Sequence, residues 1–130
     1  MEKDKEQELM LKLSMFEQQI QQLQQQLQAV EQGIVELNSL NFGLDEIKGG
    51  KGKEILSPIG RGIFAKTKLL SEELTVDIGG KNFVKKSVPE TKKVIEEQIK
   101  KLVEIKNELE KNLENINSEI REVVMGAQKK

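Results

Sequence analysis

A heptad repeat of apolar residues occupies the first third of the 130-residue chain and constrains its fold more than any other feature. Its a and d positions, from residue 9 to residue 44, are apolar at ten of eleven places. Such a repeat, kept over more than four heptads, is typical of a coiled coil. It predicts one long helix over about residues 6–44, with a narrow seam formed by Leu9, Leu13, Phe16, Ile20, Leu23, Leu27, Val30, Ile34, Leu37, Asn41 and Leu44.

The last segment repeats this pattern. It opens at Val88-Pro89-Glu90, where we expect Pro89 at the first helical position. Only Lys106 breaks the apolar seam, and we expect its stem to pack while its amine reaches solvent. The alternative is that Lys106, like Asn41, fixes the register. The predicted seam is Ile95, Ile99, Leu102, Lys106, Leu109, Leu113, Ile116, Ile120, Val123 and Ala127.

Two helices of similar length, joined by a middle segment, predict an antiparallel hairpin of helices. If the numbers of facing residues sum to about 133, Leu27 lies near Lys106 and Leu9 lies near Val124. The alternative is that the helices splay and pair with other chains.

The middle segment changes period from helix to strand. A glycine-rich, flexible linker at 47–53 precedes four short runs of β-branched and aromatic residues, at 54–59, 63–69, 74–78 and 82–88. Glycine-containing turns at 60–62 and 79–81 make these runs two successive β-hairpins. Isolated hairpins are marginal in water, and their open edges invite pairing. We therefore expect strands from several chains to close a β-barrel or sandwich, through Ile55, Ile63, Phe64, Ala65, Leu74, Val76, Ile78 and Phe83.

These patterns predict an α+β protein, a long antiparallel coiled-coil hairpin with two central β-hairpins that assemble with other subunits. The predicted segments are a first helix at 1–46, the linker at 47–53, an oligomerisation body at 54–88 and a second helix at 89–130.

Composition argues against an enzyme. The chain is 36% apolar, 3% aromatic and 33% charged, with no Cys and no His. It therefore lacks the commonest general base, the thiolate nucleophile and the usual transition-metal ligands. Its Gly-Lys pairs at 50–53 do not match the phosphate-binding loop pattern. We expect no catalytic residue, no metal and no cofactor.

Charge and hydropathy also limit the partners and the compartment. A net charge of −1 disfavours nucleic acid, and no apolar run is long enough to predict a membrane span. The charged N-terminal residues are unlike a signal peptide. Together with the lack of Cys, this favours a cytoplasmic protein.

Apolar residues exceed the needs of the seam at both ends of the chain. Apart from Met1, every Met of the chain lies in one of these two places, which an antiparallel hairpin brings together. Met is common on surfaces that bind varied partners, so the surplus suggests a binding site for exposed hydrophobic chains. The alternative is wider packing against a neighbour, or helix ends that tolerate any residue. We call this set the terminal patch: Leu9, Met10, Leu11, Leu13, Met15 and Phe16, with Val123, Val124 and Met125.

The layout resembles the alpha subunits of archaeal prefoldin. The resemblance is carried by the two heptad arms, the stretch EILSPIGRGIFAK from Glu54, the stretch LTVDIGG from Leu74, and Ser87-Val-Pro-Glu before the second arm. Two central hairpins, rather than one, are what separates alpha-type from beta-type subunits.

The resemblance implies an ATP-independent holding chaperone. Family members form hexamers, usually of two alpha and four beta subunits, whose hairpins build a double β-barrel. Their coiled-coil tips capture non-native client proteins and pass them to a group II chaperonin, so the terminal patch is the implied client-binding site. The alternative function is a self-assembling scaffold or filament, as in gamma-type relatives.

Overall fold

The computed structural model describes residues 2–128, with side chains through residue 126. Helix α1 is Glu2–Ile47 and helix α2 is Val88–Gln128. Between them in sequence lie β1 (Glu54–Gly60), β2 (Ile63–Lys68), β3 (Leu74–Asp77) and β4 (Phe83–Lys86). This order confirms the predicted α+β class with two long helices and two hairpins. Ala127, the last residue of the predicted second seam, lies outside the described side chains.

Both predicted seams are the least exposed stripes of their helices. Every predicted seam residue whose side chain is described is buried or half-buried. The apolar repeat dictates this, because positions three and four apart share one face of a helix. Lys106 follows the same rule, since it is half-buried while its Nζ atom reaches two carboxylates, those of Glu31 at 3.9 Å and Glu110 at 4.0 Å.

The chain divides into two compact units. The first comprises residues 1–34 and 101–130, and the second comprises Val35–Lys100. Within the first unit the two helical segments run antiparallel, as contacts of Glu31 with Lys106 and of Gly33 with Leu102 show.

The antiparallel offset lies near the predicted sum of about 133. Facing residue numbers sum to 135 where Gly33 packs on Leu102 and to 132 where Leu9 and Val123 line one groove. The ion pairs Glu31–Lys106 in the first unit and Asp45–Lys92 in the second sum to 137, because their long side chains reach along the helix. The contact expected between Leu27 and Lys106 stays a prediction.

The second unit has a small apolar core where helix ends meet a hairpin. Leu44, Val88 and Ile95 are buried, and Leu37, Ile47, Leu74 and Ile99 pack against them. Leu74 therefore ties strand β3 to the helices of its own chain.

Each hairpin is a separate two-stranded antiparallel sheet. Strand β1 pairs with β2 from Glu54 opposite Lys68 to Gly60 opposite Ile63, with an irregularity after Pro58. Strand β3 pairs with β4 from Leu74 opposite Lys86 to Asp77 opposite Phe83. The turn glycines Gly62 and Gly80 take positive φ angles of 80° and 59°, as the turn pattern predicts.

The linker is more ordered than its glycine content predicts. The backbone N–H of Gly52 donates to the Leu69 carbonyl at 2.7 Å, and that of Leu69 donates to the Lys53 carbonyl at 3.0 Å. The Glu72 carboxylate accepts a hydrogen bond from the Gly49 N–H. These bonds extend the β1–β2 ladder and fix the path from α1 into the first hairpin.

A serine cap starts α2, one residue earlier than Pro89 suggested. The Ser87 Oγ accepts a hydrogen bond from the Glu90 N–H at 3.2 Å and donates to the Glu90 carboxylate at 3.0 Å. Ser87 is thus the N-cap, so Val88 takes the first helical position and Pro89 the second. The expectation that Pro89 holds the first position is wrong, because the Ser87–Glu90 pair sets the boundary.

Candidate functional site

The terminal patch lies in the first unit, where the start of α1 meets the end of α2. Leu9 and Val123 line one shallow groove there, together with Gly126 and the charged or polar rim residues Glu2, Lys5, Glu6, Glu8 and Lys12. The antiparallel pairing therefore brings the two halves of the patch together. Three glutamates and two lysines share the rim, so both charge signs border the groove.

The nine patch residues separate into two classes. Leu9, Leu13, Phe16 and Val123 are seam residues and are half-buried between the helices. Met10, Leu11, Met15, Val124 and Met125 point away from the seam and are exposed, Met10 at 70% and Leu11 at 64%. Only the second class offers apolar surface that the helix pair does not itself use.

The hairpins carry a second apolar surface. Of the predicted interface residues, Ile55, Ile63, Phe64, Ile78 and Phe83 are exposed, whereas Ala65, Leu74 and Val76 are half-buried. On β1–β2 the residue pairs Leu56–Lys66 and Pro58–Phe64 share one face, because residues directly opposite in a ladder point the same way. Leu56, 68% exposed, belongs to this face, and the sequence prediction missed it.

The sequence prediction also missed exposed apolar residues in the middle of the chain. Val35, Leu40 and Phe42 are exposed on α1 within the second unit. Their signal was present in the sequence, since all three stand outside the a and d positions of the heptad. The apolar surplus is therefore not confined to the chain ends.

Metal sites and membrane spans each place definite requirements on the described residues. Among residues 2–128 no group of three or more Asp and Glu side chains is placed to hold a metal ion. The part of the chain that the structure describes contains no helix of membrane-spanning length and apolarity. What the arrangement offers is apolar surface at the helix ends and open strand edges on the hairpins.

These features define a class of protein, namely chains with two long coiled-coil helices and two small β-hairpins between them in sequence. The family model described as "Prefoldin subunit" matches residues 16–130. The chain therefore belongs to the prefoldin family, which is a family of chaperone subunits.

Within the family the chain is similar to archaeal alpha subunits. It is 28% identical to prefoldin subunit alpha of Methanosphaera stadtmanae, over 73% of this chain and 69% of the relative. It is 30% identical to prefoldin subunit alpha of Methanobrevibacter smithii, over 85% and 76%. A filamentous PFD from Methanocaldococcus jannaschii, solved by cryo-electron microscopy, shares the fold with a TM-score of 0.76, 23% identity and coverage of 88% of this chain and 96% of that one.

Proposed function

We propose that this chain is a subunit of an ATP-independent holding chaperone and that its terminal patch captures non-native proteins. The observation that carries the proposal is the exposure of Met10, Leu11, Met15 and Met125 away from the seam. Full burial of one such side chain contributes roughly 1.5–3 kcal/mol, so several together hold an exposed apolar segment of a client. Flexible Met side chains adapt to clients of different shape.

The proposal for the terminal patch is supported by the structure more than by similarity to the family. Its first five residues, Leu9, Met10, Leu11, Leu13 and Met15, precede the stretch that the family model matches. Their support comes from the groove that Leu9 shares with Val123 and from the exposed residues beside it.

Assembly is the second part of the proposal. The chain contributes four strands with open edges. The apolar face on β1–β2 is exposed, and its contact with water is unfavourable unless another subunit covers it. Two such chains with four two-stranded beta subunits supply sixteen strands, enough for two eight-stranded barrels. We propose this hexamer as the working form, in the cytoplasm, with a group II chaperonin receiving the client.

The decisive experiment separates the patch from other exposed apolar surface. The variant M10S/L11S/M15S/M125S changes only residues outside the seam, so the helix pair remains intact. We expect it to assemble normally, by light scattering, and to lose suppression of client aggregation. The matched control V35S/L40S/F42S removes equally exposed residues elsewhere on α1 and should keep suppression. Equal loss in both variants, or no loss in the first, contradicts the patch assignment.

A second candidate function is a filament-forming scaffold. The open edges of both hairpins favour it, because each hairpin can pair with a further chain. The PFD from Methanocaldococcus jannaschii, which has this fold, is filamentous. Electron microscopy of the chain expressed alone discriminates, since filaments support this function and discrete particles oppose it.

A further inference from the structure

The middle of the first unit has an amide-lined groove that the capture of apolar segments does not use. Three glutamines of α1 and two asparagines of α2 form its rims, namely Gln19, Gln22, Gln26, Asn112 and Asn115. The seam residues Leu23 and Ile116 complete its lining. Within residues 2–128 none of the five amide side chains is hydrogen-bonded to another part of the chain.

The composition of this stretch is not that of an ordinary solvated helix face. Residues 18–30 contain eight glutamines and no charged side chain, although a third of the whole chain is charged, which predicts about four in thirteen. Glu and Lys form helices as well as Gln does and solvate them better, and the rest of the chain uses them freely. Asn112 and Asn115 even cost α2 some helix propensity. Solvation alone therefore does not account for amides on both rims.

An amide side chain both donates and accepts hydrogen bonds, and so does each peptide group of an extended chain. Gln19 and Gln26 are seven residues apart, which is about 10 Å along a helix. That length matches about three residues of extended polypeptide. One apolar side chain of such a segment would then lie against Leu23 and Ile116, and its flanking peptide groups would lie within reach of the amide rims.

We propose that this groove, which we name the amide groove, binds the main chain of an extended non-native polypeptide. The proposal rests on the proposed holding function and extends it, because it adds a site that recognises the backbone rather than apolar side chains. Main-chain recognition does not depend on client sequence. Because the α1 rim of the groove carries no charged side chain, it repels neither acidic nor basic clients.

The test uses a labelled twelve-residue peptide of Ser, Thr and Leu, and a copy N-methylated at alternate residues. N-methylation removes main-chain donors and keeps the side chains. We expect the full-length protein to bind the unmodified peptide about tenfold more tightly by fluorescence anisotropy, a difference of ~1.4 kcal/mol. In Q19A/Q22A/Q26A this ratio should fall to near one.

The matched control is Q18A/Q21A/Q25A, which removes three glutamines that do not line the groove and should keep the tenfold ratio. A ratio near one in the unaltered protein, or an unchanged ratio in the groove variant, overturns the proposal. A smaller assembly mass for the groove variant in light scattering also overturns it, because the groove would then be a contact between copies.

The terminal-patch variant M10S/L11S/M15S/M125S separates this inference from the proposed function. It should lose suppression of aggregation while it keeps the tenfold peptide ratio. If the unaltered protein does not suppress aggregation, the holding function fails whatever the ratio. If it suppresses aggregation with a ratio near one, only the amide groove fails.

Discussion

Gly33 of α1 lies against Leu102 of α2 so closely that a Cβ atom on the glycine would stand 3.3 Å from the leucine Cδ1. This contact brings the two helices together near the ion pair of Glu31 with Lys106. A glycine inside a helix costs roughly 0.5–1 kcal/mol relative to alanine, so the close approach is achieved at the expense of helix propensity.

The first prediction compares the two glycines inside α1. G43A should raise the free energy of unfolding by about 0.5–1 kcal/mol, because nothing lies within 4 Å of the added Cβ. G33A should gain less, since Leu102 must shift by a few tenths of an ångström. Urea denaturation at one protein concentration measures both, and a larger gain for G33A would contradict the close contact.

The second prediction concerns the charge in the α2 seam. K106L should raise the free energy of unfolding by about 1 kcal/mol, because it completes the apolar seam and removes only partly exposed ion pairs of small worth. K111L, at an exposed position, should give no such gain. A loss of stability in K106L would show that the Glu31–Lys106 pair holds the register.

The third prediction tests the cap of α2. S87A should lower the free energy of unfolding by about 1 kcal/mol, because the Glu90 N–H loses its side-chain acceptor. The control S39A replaces an exposed serine inside α1 and should be neutral or slightly stabilising. Equal effects of the two substitutions in thermal unfolding would argue against the cap.

The fourth prediction tests the exposed face of the first hairpin. L56K/F64K should reduce the mass of the assembly in light scattering, since two lysines would have to be buried in an interface without partners. K66Q lies opposite Leu56 on the same face and should leave the mass unchanged. An unaltered mass for the double variant would place the subunit contacts elsewhere.

The fifth prediction concerns ligands. Suppression of client aggregation should be the same with excess EDTA and with or without Mg-ATP, because apolar contacts at the proposed terminal patch need neither a metal ion nor nucleotide hydrolysis. A change in activity with nucleotide, supported by heat in a calorimetric titration, would contradict an ATP-independent mechanism.

The parts of the fold that depend on local pattern could be predicted from sequence. A repeat of three and four residues determines which face of a helix is buried, so both seams were predicted residue by residue. Alternation and turn glycines likewise predicted four strands to within two residues at each end. The start of α2 was predicted one residue late because the Ser87–Glu90 pair was not weighed against Pro89.

Features that depend on distant parts of the chain were predicted less well. The exact offset between the helices depends on local packing such as that of Gly33 on Leu102, which the heptad alone does not determine. Val35, Leu40 and Phe42 were missed because the search for apolar residues outside the seam was confined to the two ends of the chain. The terminal patch and the predicted barrel interface remain predictions.

The uncharged stretch at residues 18–30 has a consequence for ionic strength. Salt screens charges over about 8–10 Å in physiological media, so dissolved ions weaken exposed pairs such as Lys66–Glu54 and Lys85–Glu73. Residues 18–30 of α1 contain no charged side chain, so their packing and hydrogen bonding do not depend on ion pairs of their own. The middle of α1 should therefore keep its stability and its binding properties at high salt concentrations that weaken the exposed ion pairs elsewhere in the molecule.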